Sequence, residues 1–309
     1  MPTMTYEPGS PEAQAAAAAA QPQRRSPWIG PVRVASIVLG VSLVGVGTLA
    51  VITQFATRVQ TEAVVVDSPV SSLKVKVPSG DVVLRDGPAG GPVQIEVRTT
   101  AALSDPSWSH RVKDGTLTLD GACSGSFLIH NCSVAFEVVL PADVKADLDT
   151  GSGDVTVTGM NGGTKAHTGS GDIRLGTIGG DIQARAGSGN VHGTQLDSAR
   201  AEMNTGSGDV KAEFTQATSQ VNLKTGSGDV RVSFGAAPTS VNARTGSGDV
   251  RILLPNDGTS YDVSGTTGSG DREIEVPTGS QTHRIEANTG SGDVRVGYDW
   301  TLSSRPTNG

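Results

Sequence analysis

From residue 64 onward, apolar residues recur at every second position in short runs. After Asp229 the chain reads Val230-Arg231-Val232-Ser233-Phe234, and after Asp249 it reads Val250-Arg251-Ile252. Ahead of those aspartates, Val221-Asn222-Leu223-Lys224 and Val241-Asn242-Ala243-Arg244 alternate in the same way. A period of two over about five residues predicts short strands with one buried face. Val64–Val66, Leu73–Val77, Val82–Leu84, Val93–Val97, Leu117–Leu119 and Val134–Leu140 are strand-like as well, and Pro78-Ser79-Gly80-Asp81 reads as a degenerate turn. The pattern predicts an all-β domain.

Between the runs one string returns. TGSGD occurs seven times, ending at Asp154, Asp172, Asp209, Asp229, Asp249, Asp271 and Asp293, and a variant, AGSGN, ends at Asn190. Successive spacings are 18, 18, 19, 20, 20, 22 and 22 residues. A fixed period near 20 marks a stacked array. Consecutive antiparallel hairpins would also give two strands per unit. Stacking like on like, however, places each Val, Thr and Asp beside its equivalent about 4.8 Å away. The expected fold is therefore a β-solenoid, parallel β-helix-like, with two short strands per coil of roughly 20 residues and glycines permitting positive φ at the constant corner. Residues 64–149 are expected to form irregular N-terminal coils and residues 150–300 the regular ones, about eleven in all and stacked in chain order. Tyr298 and Trp300 are placed to cover the last coil, and residues 301–309 read as a disordered tail.

A different pattern precedes the strands. The 24 residues between Arg33 and Arg58 carry no charge, and VASIVLGVSLVGVGTLAVI, residues 34–52, is apolar or small throughout. Nineteen residues of helix span about 28 Å, close to the hydrocarbon thickness of a bilayer. Residues 34–56 are expected to form a transmembrane helix and 57–63 a linker. Arg24, Arg25 and Arg33 precede the run and Arg58 follows it, so residues 1–33 are expected in the cytoplasm and the repeats outside. A cleaved signal peptide is the alternative, against which stand the length of the run and the lack of an Ala-x-Ala site after it. Residues 1–33, rich in Pro, Gln and Ala over their first 27 positions, read as a disordered tail.

The segment LPADVKADLDTGSGDVTVTGMNGG, followed by repeated GSGDI and GSGDV units behind one N-terminal apolar helix, resembles the bacterial putative-adhesin family of membrane-anchored β-strand-repeat proteins. The resemblance covers roughly residues 64–299. It implies a β-solenoid and a cell-envelope location, and no reaction.

Composition narrows the functional classes. The formal net charge is −7, which gives a nucleic-acid role no electrostatic support. Stacked carboxylates about 5 Å apart repel by roughly 0.9 kcal/mol even at bulk-water dielectric. Calcium could offset this, but the string lacks the residue that spaces ligand oxygens in calcium β-rolls. Two residues beyond the acidic position stand Arg174, Lys211, Arg231, Arg251 and Arg295, on the same strand face as the carboxylates. They are expected to form a charge-compensating ladder beside a structural turn ladder, with Thr156 and Glu273 as exceptions and Asx turns adding local N–H donors. No metal, cofactor or catalytic residue is expected. Paired carboxylates of a carbohydrate-active enzyme would need unlike environments, whereas these recur in near-identical ones. His110, His130, His167, His192 and His283 are scattered. Cys123 and Cys132, outside the membrane, are expected to form a disulfide, with two free thiols as the alternative.

The corner opposite Gly-Ser-Gly varies, as in Asn161-Gly162-Gly163, Thr215–Ser219, Gly235–Thr239 and Pro255–Ser260. Variation confined to one edge marks either a binding edge or relaxed loops. The expected role is a non-enzymatic adhesin-like or scaffold module whose partner is an envelope protein or surface polymer. A sensor ectodomain of an envelope-stress system is the alternative, and an enzyme the third.

Overall fold

The computed structural model describes residues 58–102, 105–124, 131–279 and 281–298. The apolar run 34–56, His130 and Trp300 lie outside the described residues, as do the two terminal tails.

Among the described residues every regular element is a strand, 23 in all. The first seven are β1 (Arg58–Val66), β2 (Ser72–Val77), β3 (Val82–Gly87), β4 (Val93–Ala102), β5 (Asp105–Lys113), β6 (Thr116–Ser124) and β7 (Asn131–Pro141). The regular coils follow as strand pairs: β8 (Lys145–Ser152) with β9 (Val155–Thr158), β10 (Thr164–Ser170) with β11 (Ile173–Gly176), and β12 (Ile182–Ser188) with β13 (Val191–Leu196). Next come β14 (Arg200–Ser207) with β15 (Val210–Phe214), β16 (Gln220–Ser227) with β17 (Val230–Phe234), and β18 (Ser240–Ser247) with β19 (Val250–Leu254). The last four are β20 (Asp262–Ser269), β21 (Arg272–Ile274), β22 (Arg284–Ser291) and β23 (Val294–Tyr298).

These strands build two mostly parallel sheets, one of 12 strands and one of 11. In each regular coil the first strand joins the 11-stranded sheet and the second the 12-stranded sheet, so the constant corner is where the chain changes sheet. The fold is a β-solenoid. Coils stack in register: Val221 lies beside Val241, Thr225 beside Thr245, and Arg231 beside Arg251. Side chains alternate as the period-two pattern requires. In β17, Val230, Val232 and Phe234 are buried while Arg231 is exposed. The buried residues of both sheets meet in one thin core, where Phe214 and Phe234 stack with centroids 5.3 Å apart. Each buried Val or Leu contributes about 1.5–3 kcal/mol.

At both ends the stacking order departs from chain order. The coil of β22 and β23 packs directly on β18 and β19, and β20 and β21 lie outside it as the terminal coil. At the other end, β2 and β3 lie between the coil of β8 and β9 and that of β6 and β7. Amphipathicity explains the C-terminal exchange. In β22, Ile285 and Ala287 are buried, and Val294 and Val296 of β23 are too, which suits a coil covered on both sides. In β20 and β21 the inward places go to half-buried Val263, Gly265 and Ile274, which suits an end. Tyr298, expected over the last coil, therefore belongs to the coil before it.

The N-terminal part is also not purely parallel. β1, β4 and β7 pair antiparallel, as do β5 and β6. Residues 58–63, expected to be linker, form most of β1 because the edge of β4 offers them a complete antiparallel ladder. Among the described residues ten two-strand coils result, where about eleven were expected, with β1, β4 and β5 standing outside them.

Candidate functional site

Each letter of the repeated string has a contact that crosses from one coil to the next. The buried threonine hydroxyl donates to the carbonyl of the second glycine in the adjacent coil: Thr225 to Gly208, Thr245 to Gly228 and Thr289 to Gly248, each at 2.8 Å. The first glycine keeps coils close, since a Cβ on Gly226 would lie 2.5 Å from the carbonyl oxygen of Gly206. Serine lends its backbone carbonyl to the glycine N–H of the adjacent coil, as Ser247 does for Gly228 at 2.8 Å. The second glycine sits at positive φ, +138° at Gly228.

The acidic residue finishes the corner. Asp154 donates its N–H to Asp81 Oδ1 at 2.9 Å, Asp172 to Asp154 at 2.9 Å, and Asn190 to Asp172 at 2.8 Å. The ladder continues through Asn190, Asp209, Asp229, Asp249 and Asp293 and ends on Asp271, every rung at 2.9 Å. The order of the last two follows the exchanged coils. An N–H donor offsets like-charge repulsion at every carboxylate of the ladder before the terminal Asp271. The Asx turns expected within each coil are thus replaced by bonds between coils. Asp81 is the first rung, so the degenerate turn joins the ladder although Val77 and Pro78 replace the Thr and first Gly of the string. The threonine hydroxyls were not anticipated; the constancy of Thr at the first position of the string was their signal.

The cationic row is less regular. Arg174 bridges two rungs, reaching Asp154 Oδ2 at 2.6 Å and Asp172 Oδ2 at 2.7 Å. Partial burial pushes the Asp154 carboxyl up, but the Asp172 N–H and the Arg174 guanidinium outweigh it and hold the group below its ordinary value. Arg231 pairs with Asp229 at 2.7 Å, and Arg295 with Asp293 at 3.6 Å and Glu273 at 3.3 Å. Lys211 and Arg251 do not compensate the ladder. Lys211 turns to Glu213 at 3.1 Å, since that carboxylate lies two residues along the same face and the preceding rung, Asn190, carries no charge. Arg251 forms no ion pair among the described residues; its row neighbours are the cations Arg231 and Arg295.

Where the ladder loses its charge a cleft opens. It has a volume of about 310 Å³ and runs from Asp172 and Arg174 past Asn190, His192 and Asp209 to Arg231. His192 occupies the place that Arg174 and Lys211 hold on either side. The cleft therefore offers an imidazole and charges of both signs to a polar ligand. Its carboxylates, Asp172, Asp209 and Asp229, each already accept a backbone N–H group.

The remaining singled-out residues are dispersed. Cys123 and Cys132 are joined, with S–S 2.10 Å, and link β6 in one sheet to β7 in the other. His110 stacks on Trp108 at 5.6 Å, and His283 packs edge-on to Tyr261 at 5.8 Å. His167 lies in the row between Asp149 and Arg185. No helix long and apolar enough to cross a membrane occurs among the described residues.

Comparison with known proteins adds a family. Residues 70–299 match Toastrack DUF4097. No curated protein matches the chain. Among solved structures, a "putative lipid binding protein" from Parabacteroides distasonis is 14% identical, with 77% of this chain and 96% of that one covered and a TM-score of 0.45. A "putative adhesin" from the same organism is 16% identical over 77% and 97%, with a TM-score of 0.40. A "putative cell adhesion protein" from Clostridium sporogenes is 13% identical over 79% and 100%, with a TM-score of 0.30.

Proposed function

The chain belongs to the Toastrack DUF4097 family, and from that membership we propose that it is an adhesin-like interaction module of the cell envelope. In this reading residues 34–56 span the membrane, the N-terminus is cytoplasmic and the solenoid is displayed outside as a non-enzymatic binding rod. The observation that carries it is the use made of the repeated carboxylates. Each rung before the terminal Asp271 spends Oδ1 on the N–H of the next coil, which is an architectural task, and leaves the varied outward rows as the surface that can recognise a partner. Catalysis by paired carboxylates asks for two unlike environments in one place.

Two measurements test this. Protease applied to intact cells is expected to remove epitopes placed after residue 60 and to spare a tag at residue 1; the reverse pattern defeats the topology. The full chain in neutral nanodiscs is expected to co-sediment with isolated envelope material. Failure to do so defeats the interaction role.

A further inference from the structure

The outward face of the 11-stranded sheet changes character at its N-terminal end, over β5, β6, β2, β8 and β10 in that spatial order. Inward residues there are apolar and buried, among them Leu73, Val75, Leu117, Leu119 and Leu148. The alternate, outward positions carry six cations: Arg111, Lys113, Lys74, Lys76, Lys145 and Lys165. The register sets three of them in one row. Arg111 lies beside Thr118, Thr118 beside Lys74, Lys74 beside Asp147, and Asp147 beside Lys165. Among the described residues, Asp105, Asp120, Asp147 and Asp149 stand on this face of the same five strands, Asp105 at the far end of β5, within a chain whose net charge is −7.

These cations also differ in how they are used. None of the six forms an ion pair or a side-chain hydrogen bond among the described residues. Elsewhere on the same sheet Arg185 holds Glu202 at 2.7 Å, Arg200 holds Asp181 at 2.5 Å and Arg244 holds Glu286 at 2.6 Å. A cleft of about 380 Å³ opens between Lys74, Lys145 and Lys165, with Ser72, Asp147 and Asp181 in its wall, Asp181 being already paired with Arg200. Unpaired ammonium groups converging on an open cleft leave positive potential for an incoming anion.

We propose that this face binds a linear polyanion laid along the solenoid axis. With strands about 4.8 Å apart, Arg111, Lys74 and Lys165 sit on every second strand and present a cation roughly every 10 Å. A chain with repeating anionic groups can meet them in succession, whereas a single small anion meets only the Lys74–Lys145–Lys165 cleft. An anionic lipid leaflet fits less well. The described chain begins at Arg58, level with Ala101 and Cys132, beyond the corner at Asp81. That level is about 17 Å of strand length from the Lys74 row, five residues separating Thr118, beside Lys74, from Cys123, which is bonded to Cys132.

This deepens the envelope-interaction reading by naming the chemistry of the partner. The full chain, held in phosphatidylcholine nanodiscs, is titrated with polyphosphate and separately with polygalacturonate, which distinguishes a phosphate from a carboxylate polymer. Binding of at least one is expected, weakened about tenfold between 50 and 200 mM NaCl. The combined Lys74→Glu, Lys145→Glu and Lys165→Glu variant is expected to lose about a further tenfold, whereas Lys224→Glu in β16 is unchanged. If the glutamate variant does not fold, the Lys→Gln triple is used, with a loss in the same direction. No binding to either polymer, equal binding by the triple variant, or capture by phosphatidylglycerol vesicles alone overturns the proposal. Co-sedimentation with envelope material that survives the triple substitution removes this face and leaves the wider reading intact; loss of co-sedimentation by the unaltered chain removes both.

Discussion

The side chain of Asp229 accepts the backbone N–H of Asp249, 20 residues further along the chain, at 2.9 Å. The same atom pair recurs from coil to coil, so the carboxylate acts as a backbone acceptor before it acts as a charge. That ranking decides how the corner responds to change.

At the corner, glycine is expected to outweigh the carboxylate. Asp229→Asn keeps Oδ1, and Asn190 already receives the N–H of Asp209 in this way at 2.9 Å. The exposed pair with Arg231 is lost, worth about 0–1 kcal/mol. Gly228→Val places a Cβ 2.2 Å from the Gly208 carbonyl oxygen at φ +138°, and about 3 kcal/mol or more is expected. Denaturant unfolding of both variants checks the order; a larger loss for the asparagine refutes it.

The variant unit offers a gain. Ala186 lacks the hydroxyl that Thr168 and Thr205 direct at glycine carbonyls, at 2.9 and 2.7 Å. Ala186→Thr is expected to stabilise by about 0.5–1.5 kcal/mol, and Thr225→Val to destabilise by a similar amount. A raised midpoint in the first and a lowered one in the second would agree. Opposite signs would show that the alanine site is packed against the change.

Chelation is expected to leave unfolding unaltered. One oxygen of each rung before Asp271 is committed to an N–H, and Arg174, Arg231 and Arg295 engage neighbouring Oδ2 atoms. A calcium row would add about 2.7 kcal/mol per site at a hundredfold excess of ion. Thermal unfolding with millimolar calcium and then with chelator distinguishes these, because a solenoid that folds only with calcium contradicts the hydrogen-bonded ladder.

Alkaline pH is expected to weaken the C-terminal end through Tyr261. Burial raises its phenol to about 12, and the charge of Asp257 adds to this. The unfolded phenol ionises near 10, so the stability it confers is complete below that value and falls as pH rises through 12. The loss is of order 1–3 kcal/mol, and Tyr261→Phe should remove it. Acid acts in the opposite sense. Glu202 and Glu286 are held below their ordinary values by Arg185 and Arg244 respectively, so their contribution is present above the unfolded carboxylate value and fades below it. Equal alkaline profiles for the parent chain and the phenylalanine variant would exclude Tyr261 as the source.

Strands, core faces and the corner were legible because each follows from short-range repetition. Val230, Val232 and Phe234 declare their face by alternation alone, and the string declares its corner by recurrence. Coil order was not legible, since Val250 meets Val294 across 44 positions and no local period distinguishes that neighbour from Arg272. The spacing of 22 residues at the last two units, longer than the 20 before them, was the trace of the chain passing outward and back. Side-chain choices such as Lys211 taking Glu213 depend on competition among partners at one place, which spacing does not encode.

The exchanged coils at the C-terminal end bear on how the chain can be made and folded. In a strictly sequential stack each newly emerged unit docks on the one before it, and a growing chain is complete up to its latest residue. Here β20 and β21 emerge before the coil that links them to the rest. Arg284–Tyr298 must slot in between while that earlier unit waits without a neighbour. Closure is therefore deferred to the final stretch of the domain, and a chain cut at residue 281 loses one coil from its sequence but strands a second in the structure.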